Sequence, residues 1–131
     1  MLDLNLKILV IDDSEPIVRL LHDLLTLQHQ TVLTAVSATE GLDLFRDHEV
    51  DLVICDLGMP GMSGWEVGSM VRSICRERGI PKTPFILLTG WGGQSLPRGK
   101  IAESGIDSVL EKPVDRPKLF GMIQKVMSNM T

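Results

Sequence analysis

A chain of 131 residues with 44% hydrophobic and 23% charged side chains has the size and composition of one globular domain, here residues 1–131, without a second folded unit. Its formal charge of -4 and lack of a concentrated basic face argue against direct nucleic-acid binding. The first apolar run, residues 8–11, is too short for a membrane span or a signal sequence, so we expect a cytoplasmic protein without membrane insertion.

The first predicted strand covers residues 6–11 and ends at two carboxylates, Asp12 and Asp13. Ser14 then stands at the N-cap position of the first predicted helix. Helical spacing predicts an inward face that consists of Ile17, Leu20, Leu21, Leu24 and Leu27. The chain thus begins with a strand, an acidic turn and an amphipathic helix.

The second strand is predicted at residues 31–36, which are short and rich in β-branched side chains. Ser37 and Glu40 have the spacing of a capping box, which predicts a helix that continues to about Asp47. The inward side chains of this helix are predicted to be Ala38, Leu42 and Phe45.

The third strand is the centre of the sequence, because four apolar residues, 52–55, end abruptly at Asp56. An apolar run without alternation is typical of a strand covered on both faces. Gly58 and Pro60 cannot continue the strand and turn the chain. Asp56 is therefore predicted at the carboxyl end of a strand, where open α/β sheets hold their sites, although an Asp there can also merely cap a turn.

The remaining elements follow the same rhythm of helix and strand. Ser63 and Glu66 repeat the capping-box spacing and predict a third helix, with an inward face of Val67, Met70, Val71 and Ile74. The fourth strand, residues 84–88, ends at Thr89, and a short fifth strand, residues 108–111, ends at Lys112.

The segment between strands four and five is rich in glycine, and each glycine costs ~1 kcal/mol relative to alanine inside a helix. Only residues 100–104 are predicted to be helical there. Asp115 is the predicted cap of the last helix, with an inward face of Leu119, Ile123, Val126 or Met127, and Met130.

Five apolar strands alternating with helices predict a doubly wound five-stranded parallel α/β domain. The strand ends meet at one edge of such a sheet, and this predicts the convergence of Asp12, Asp13, Asp56, Thr89 and Lys112. Three carboxylates repel one another unless a cation lies among them, and ligands that are all oxygen favour Mg²⁺.

The hydroxyl of Thr89, the ammonium of Lys112 and a metal ion can together hold three phosphoryl oxygens, which leaves one carboxylate to attack phosphorus. Asp56 is the predicted nucleophile, because the Gly58 turn beside it lets a donor approach. As structural alternatives, Asp12 can serve only as a cap and Lys112 only as a surface charge.

Four motifs in this order carry a family resemblance: Ile11-Asp12-Asp13, the segment from Asp56 to Gly64, Leu88-Thr89-Gly90 and Glu111-Lys112-Pro113. Over residues 6–129, the chain resembles the receiver domain of bacterial two-component response regulators, of the single-domain or hybrid-kinase type. The resemblance implies a flavodoxin-like fold with strand order 2-1-3-4-5.

The resemblance also implies a role for each site residue. Asp56 is implied as the phospho-acceptor, and its donor as a phosphohistidine on a sensor histidine kinase or a histidine phosphotransfer domain, which docks near the first helix and the Pro113 loop. The family pattern assigns Mg²⁺ to Asp13, Asp56 and the Gly58 carbonyl directly and to Asp12 through water, and phosphoryl contacts to Thr89 and Lys112. It also implies a cis Lys112-Pro113 peptide. Such a domain catalyses only its own phosphorylation and dephosphorylation, so we do not expect a conventional enzyme.

Two positions depart from the family pattern or vary within it. Val109 stands where the family usually has Tyr or Phe, and Trp91 stands near the phosphoryl site, where it can simply cover its loop. Without an aromatic rotor, and with glycines in the fourth helix, we expect a monomer or weak dimer. Such a domain would signal by reordering residues 90–99 or serve as a relay stage.

Three other functions are alternatives for a sequence of this kind. An aspartyl-nucleophile phosphohydrolase shares these groups, but it carries a second acid two positions after the nucleophile, where this chain has Gly58. A non-phosphorylated pseudo-receiver, a pure interaction module, is expected to have lost an acidic or lysine position. A nucleotide-binding flavodoxin-like domain needs a glycine-rich loop after the first strand, where this chain has Asp12 and Asp13.

Overall fold

The computed structural model describes residues 5–90 and 96–128. Strands and helices alternate throughout these ranges. In chain order the elements are β1 (Lys7–Ile11), α1 (Glu15–Thr26), β2 (Thr31–Ala35), α2 (Ala38–Asp47), β3 (Leu52–Asp56), α3 (Gly64–Arg78), β4 (Phe85–Thr89), α4 (Arg98–Glu103), β5 (Ser108–Glu111) and α5 (Arg116–Ser128). Each strand lies within one or two residues of its predicted position.

The five strands form one parallel sheet in the order β2-β1-β3-β4-β5. The predicted doubly wound topology and strand order are therefore confirmed. Parallel strands need crossover connections, and the helices that make them cover both faces of the sheet. As a result β3 and β4 are buried along their whole length.

Each face of the sheet has its own hydrophobic core. On one face Val10 and Ile54 pack with side chains of α1 and α5, and on the other face Leu9 and Val53 pack with side chains of α2 and α3. Successive side chains of a strand point to opposite faces. A strand that contributes to both cores must be apolar at every position, which accounts for the unbroken apolar runs in the sequence.

The inward face of α1 differs from the prediction. Its buried side chains are Val18, Leu21 and Leu25, whereas Leu20 is 40% exposed and Leu27 is 66% exposed. The buried stripe follows the i, i+3, i+7 spacing and points at the sheet, and Leu20 and Leu27 lie off that stripe. The prediction was therefore correct for Leu21 and wrong for these two leucines.

The serine N-caps predicted for α2 and α3 are both present. The Ser37 hydroxyl accepts a hydrogen bond from the Glu40 amide at 3.1 Å, and the Ser63 hydroxyl accepts one from the Glu66 amide at 3.4 Å. The predicted inward side chains of α2 are all buried, and so are those of α3 except Met70, which is 36% exposed. Local sequence signals thus fixed where these two helices begin.

Helix α4 is short and lies on the surface. It covers residues 98–103 rather than the predicted 100–104, and none of its residues is buried. Its C-terminal end is attached through backbone carbonyls: the Arg72 guanidinium donates to the carbonyls of Ala102 and Glu103, and the Lys82 ammonium donates to the Gly105 carbonyl at 3.1 Å. The predictions for Trp91, Gly92 and Gly93 fall outside the described residues.

The last helix begins as expected, with the Asp115 carboxylate accepting a hydrogen bond from the Lys118 amide at 2.9 Å. Its buried side chains are Leu119, Phe120, Ile123 and Val126, and Met130 lies outside the described residues. The Lys112-Pro113 peptide is cis, as the family resemblance implied. Within the described parts of the chain, no helix has the length and apolar character that crossing a membrane requires.

Candidate functional site

Four neighbouring strand ends bring the predicted site residues together at the carboxyl edge of the sheet. Asp12 and Asp13 follow β1, Asp56 ends β3, Thr89 ends β4 and Lys112 follows β5. The strand register aligns these ends, because Ile11 pairs with Cys55 and Thr89 pairs with Glu111. The side chains line a cavity of about 290 Å³, together with Ser14, Leu57, Gly58 and Gly90.

Lys112 connects two of the carboxylates. Its Nζ atom lies 2.8 Å from Oδ1 of Asp56 and 3.1 Å from Oδ2 of Asp12. Burial of Lys112 acts to lower its pKa, but the hydrogen bond to Asp56 and the charges of Asp12 and Asp56 outweigh it and raise the pKa above 10.5. The ammonium is therefore positive at any physiological pH.

Asp12 is fully buried at the centre of the group. Desolvation raises the pKa of its carboxyl above 3.8, with a contribution from the Asp56 charge, although the Ser14 amide donates to Oδ1 at 2.9 Å and lowers it. A carboxyl whose pKa is raised in the folded state contributes to the stability of the protein at low pH, and that contribution is lost as the pH rises from 3.8 through the folded value. At neutral pH, the ionised form of Asp12 therefore opposes folding in the absence of a bound metal ion.

Magnesium fits these residues. Asp12, Asp13 and Asp56 each offer a carboxylate oxygen, and the three oxygens lie within 4.8 Å of one another. Among the described residues, the buried Oδ2 of Asp12 makes no hydrogen bond of acceptable geometry, although Nζ of Lys112 is close. Hard oxygen donors with one unsatisfied carboxylate oxygen suit a small divalent cation. Asp13 and Gly58 are exposed, so an ion that they bind can keep part of its water shell.

Asp56 is the reactive candidate among the buried groups. It is 6% exposed, and the neighbouring Cys55 is fully buried. Burial, together with the charges of Asp56 and Asp12, raises the pKa of the Cys55 thiol well above 9.0. Since only the thiolate is strongly nucleophilic, Cys55 does not compete with the Asp56 carboxylate.

The turn after Asp56 is held from both sides. The Leu57 amide donates to the Leu88 carbonyl of β4 at 2.8 Å, and the Leu57 carbonyl accepts from the Gly64 amide of α3 at 2.8 Å. Gly58 projects into open space, where a Cβ would meet no atom within 4 Å. The donor approach that the sequence predicted at Gly58 is thus sterically open.

Two contributors to the site were not identified from the sequence. The Ser14 amide hydrogen-bonds to Asp12, but the Ser14 side chain, predicted as a cap, makes no cap hydrogen bond. Gly64 lay inside a motif, but it had no assigned role. The sequence does not reveal the Ser14 donor, because nearly every residue has a backbone N–H. It does not reveal the role of Gly64 either, because the close contacts of Gly64 form only in the folded structure.

Comparison with known proteins agrees with this geometry. Residues 8–124 match the family model for the response regulator receiver domain. The signal receiver domain of an HD domain-containing protein from Pseudomonas fluorescens Pf-5 has a similar structure, with a TM-score of 0.82 and 30% sequence identity, covering 96% of this chain and 97% of that one.

Two curated relatives place the similarity within longer proteins. The virulence sensor protein BvgS of Bordetella pertussis is 33% identical over 111 residues, which is 84% of this chain and 9% of that protein. The response regulator PleD of Caulobacter vibrioides is 32% identical over 123 residues, which is 94% of this chain and 26% of that protein. This chain thus spans only a tenth to a quarter of these relatives. By its strand order, its site motifs and the match over residues 8–124, the chain belongs to the response regulator receiver domain family.

Proposed function

We propose that this chain is a phospho-acceptor domain of a two-component pathway and that it takes a phosphoryl group onto Asp56. The observation that supports this most directly is the position of the Asp56 carboxylate. It lies 2.8 Å from the Lys112 ammonium, and its oxygen is within 4.8 Å of those of Asp12 and Asp13. One nucleophile is thus surrounded by a fixed cation and by two further acids.

In the proposed reaction, an Asp56 carboxylate oxygen attacks the phosphorus of a phosphohistidine. The new P–O bond forms as the P–N bond breaks, and the electron pair of that bond passes to the imidazole nitrogen, which can take a proton. Lys112 and the Thr89 hydroxyl bind phosphoryl oxygens and stabilise their charge. Both side chains lie at the ends of strands adjacent in the sheet, so they approach the phosphoryl group from one side.

The proposed direct ligands of Mg²⁺ are Asp13, Asp56 and the Gly58 carbonyl, and Asp12 would hold the ion through water. A bound Mg²⁺ would neutralise part of the carboxylate charge and attract the anionic phosphoryl group. Without such a cation, the charges of Asp12 and Asp13 repel an incoming phosphoryl group. The proposed reaction modifies only the domain itself, with one phosphoryl group per chain and no turnover of free substrates.

The proposed donor is a sensor histidine kinase or a histidine phosphotransfer domain, with residues 1–131 acting as a single receiver domain. Exposed Leu20 on α1 and exposed Pro113 lie on elements that flank the site, where such a partner would dock. The two buried cysteines, Cys55 and Cys75, are free thiols, in agreement with a reducing cytoplasm.

The test of this proposal is intact-mass spectrometry after incubation with acetyl phosphate. With Mg²⁺ we expect one added phosphoryl group on the parent protein, because the cation and Lys112 together offset the charge of the acids. In EDTA, and in the Asp56→Asn variant with Mg²⁺, we expect almost none. An Asp115→Asn variant, altered at a carboxylate outside the site, serves as the control and should label like the parent.

Equal labelling in EDTA would contradict the metal requirement, and full labelling of Asp56→Asn would contradict the acceptor. Continuous release of phosphate from small phosphate esters would favour a phosphohydrolase. An unlabelled parent protein would favour a pseudo-receiver.

We further expect the phosphorylated domain to stay monomeric at micromolar concentrations. Val109 on β5 is half-buried and stiff at χ1, so it cannot make the large inward rotation of an aromatic side chain. Helix α4 has no buried residue with which to support a rigid interface. Light scattering with and without beryllofluoride, which mimics a phosphoryl group, measures this directly. A stable two-fold dimer would show the expectation to be wrong.

A further inference from the structure

Gly64, the first residue of α3, lies against the backbone that carries the acceptor. A Cβ atom at this position would lie 2.5 Å from the Asp56 carbonyl oxygen, 2.9 Å from the Leu57 Cα and 2.5 Å from Cδ1 of Leu87. The Leu87 side chain can move to relieve its overlap, but the two backbone atoms belong to the end of β3 and the turn after it. A side chain at residue 64 must therefore displace that backbone or α3 itself.

The displaced backbone is the part that positions the reactive groups. Asp56 is paired in register with Leu88, and Leu57 is hydrogen-bonded on one side to Leu88 and on the other to Gly64. Gly58 follows directly. A shift of a few tenths of an ångström at the Asp56 carbonyl is thus passed to the Asp56 carboxylate and to the Gly58 carbonyl. Lys112 follows β5, which is separated from β3 by β4, so it does not belong to the displaced backbone.

We propose that Gly64 is a positioning residue for the phosphoryl acceptor. The absence of a side chain at Gly64 lets α3 lie directly against the Asp56 backbone. This contact sets two distances, the one between the Asp56 carboxylate and Lys112 and the one between the Gly58 carbonyl and Asp13. This inference rests on the function proposed above. It assigns to Gly64 a role in the geometry of the reaction, in addition to the role in stability that follows from its close packing.

The chain provides a matched control at Gly68, one turn further along α3. A Cβ there would lie 2.6 Å from a backbone carbonyl oxygen and 2.7 Å from a terminal side-chain carbon. These atoms belong to Ser104 and Ile106, not to the acceptor turn. Both glycines are buried on the same helix, and at each of them alanine would overlap a backbone carbonyl oxygen and a terminal side-chain carbon, so the main difference is which backbone is displaced.

The experiment compares Gly64→Ala and Gly68→Ala with the parent at a temperature below all three melting midpoints. The readouts are the melting temperature, the rate of labelling by acetyl phosphate at saturating Mg²⁺ and the Mg²⁺ concentration for half-maximal rate. Both variants should melt at lower temperature. Gly64→Ala should also label about 10-fold more slowly and need more Mg²⁺, because small misplacements of reacting groups are costly. Gly68→Ala should keep both kinetic values of the parent.

Equal kinetic losses in the two variants, or parent kinetics in Gly64→Ala, would overturn this inference and leave the proposed function intact. A parent that does not label overturns both. If Gly64→Ala does not fold, the Gly64→Ala/Leu87→Val double variant removes the Leu87 overlap and keeps the Asp56 overlap. It should label about 10-fold more slowly than Leu87→Val alone. Equal rates in that pair would likewise overturn the inference.

Discussion

Replacing Lys112 by methionine is expected to slow the labelling of Asp56 by about 100-fold, the typical effect of removing one preorganised group that stabilises a developing charge. Methionine keeps much of the length and the apolar stem, but it removes the ammonium that lies 2.8 Å from Asp56. The measurement is the initial rate of labelling by acetyl phosphate at saturating Mg²⁺.

The control for this change is Lys118→Met, which removes an exposed cation from the first turns of α5. It should label like the parent. Thermal melting in Mg²⁺ must show that Lys112→Met is folded at the assay temperature, because loss of Lys112 also leaves the buried Asp12 carboxylate without its counter-charge. A folded Lys112→Met variant that labels within a few-fold of the parent would refute the role of the ammonium.

Asp13→Asn is expected to raise the melting temperature of the metal-free protein by about 3 °C, which corresponds to ~1 kcal/mol for a domain of this size. The Asp13 carboxylate is close to those of Asp12 and Asp56, and it has no hydrogen-bond or ion-pair partner among residues 5–90 and 96–128. Its charge therefore adds repulsion to two carboxylates that share the single ammonium of Lys112. Melting curves recorded in EDTA test this expectation.

The same variant should lose the stabilisation that Mg²⁺ gives to the parent. A ligand at about 100 times its Kd stabilises a folded protein by ~2.7 kcal/mol, so the Mg²⁺-induced shift in the parent should be several degrees. Glu49→Gln, which neutralises an exposed acid away from the site, is the control and should keep the full shift. A lower melting temperature of Asp13→Asn in EDTA would show that Asp13 is satisfied within the fold.

The position of the site was predictable because each of its groups is tied to a local signal. Asp12, Asp56 and Lys112 lie at or directly after the end of a predicted strand, and parallel strands bring such ends together whatever the details of packing. No contact between distant residues had to be known. The N-caps at Ser37 and Ser63 were predictable for the same reason, because their partners are three residues away.

The errors concern choices that only tertiary structure makes. In α1, Leu20 and Leu25 both belong to helical patterns of apolar residues. The sheet lies on the side of the helix that carries Leu25, so Leu25 is buried and Leu20 is exposed. In the same way, the strand pattern alone does not show which of the neighbours Asp12 and Asp13 is buried. The fold buries Asp12 beside Lys112 and leaves Asp13 exposed, because adjacent residues at a strand end point to different sides.

The attachment of α4 bears on how the surface of this domain can diverge. Arg72 and Lys82 hold the end of the helix by backbone carbonyls, which every amino acid provides, and Ile101 is the α4 residue that packs, partly buried, against the core. Substitutions along its outer positions therefore change neither the anchor nor the packing of the sheet. In evolutionary terms, the exposed residues of this helix can diverge rapidly while the sheet and the cluster of side chains at its edge are inherited unchanged.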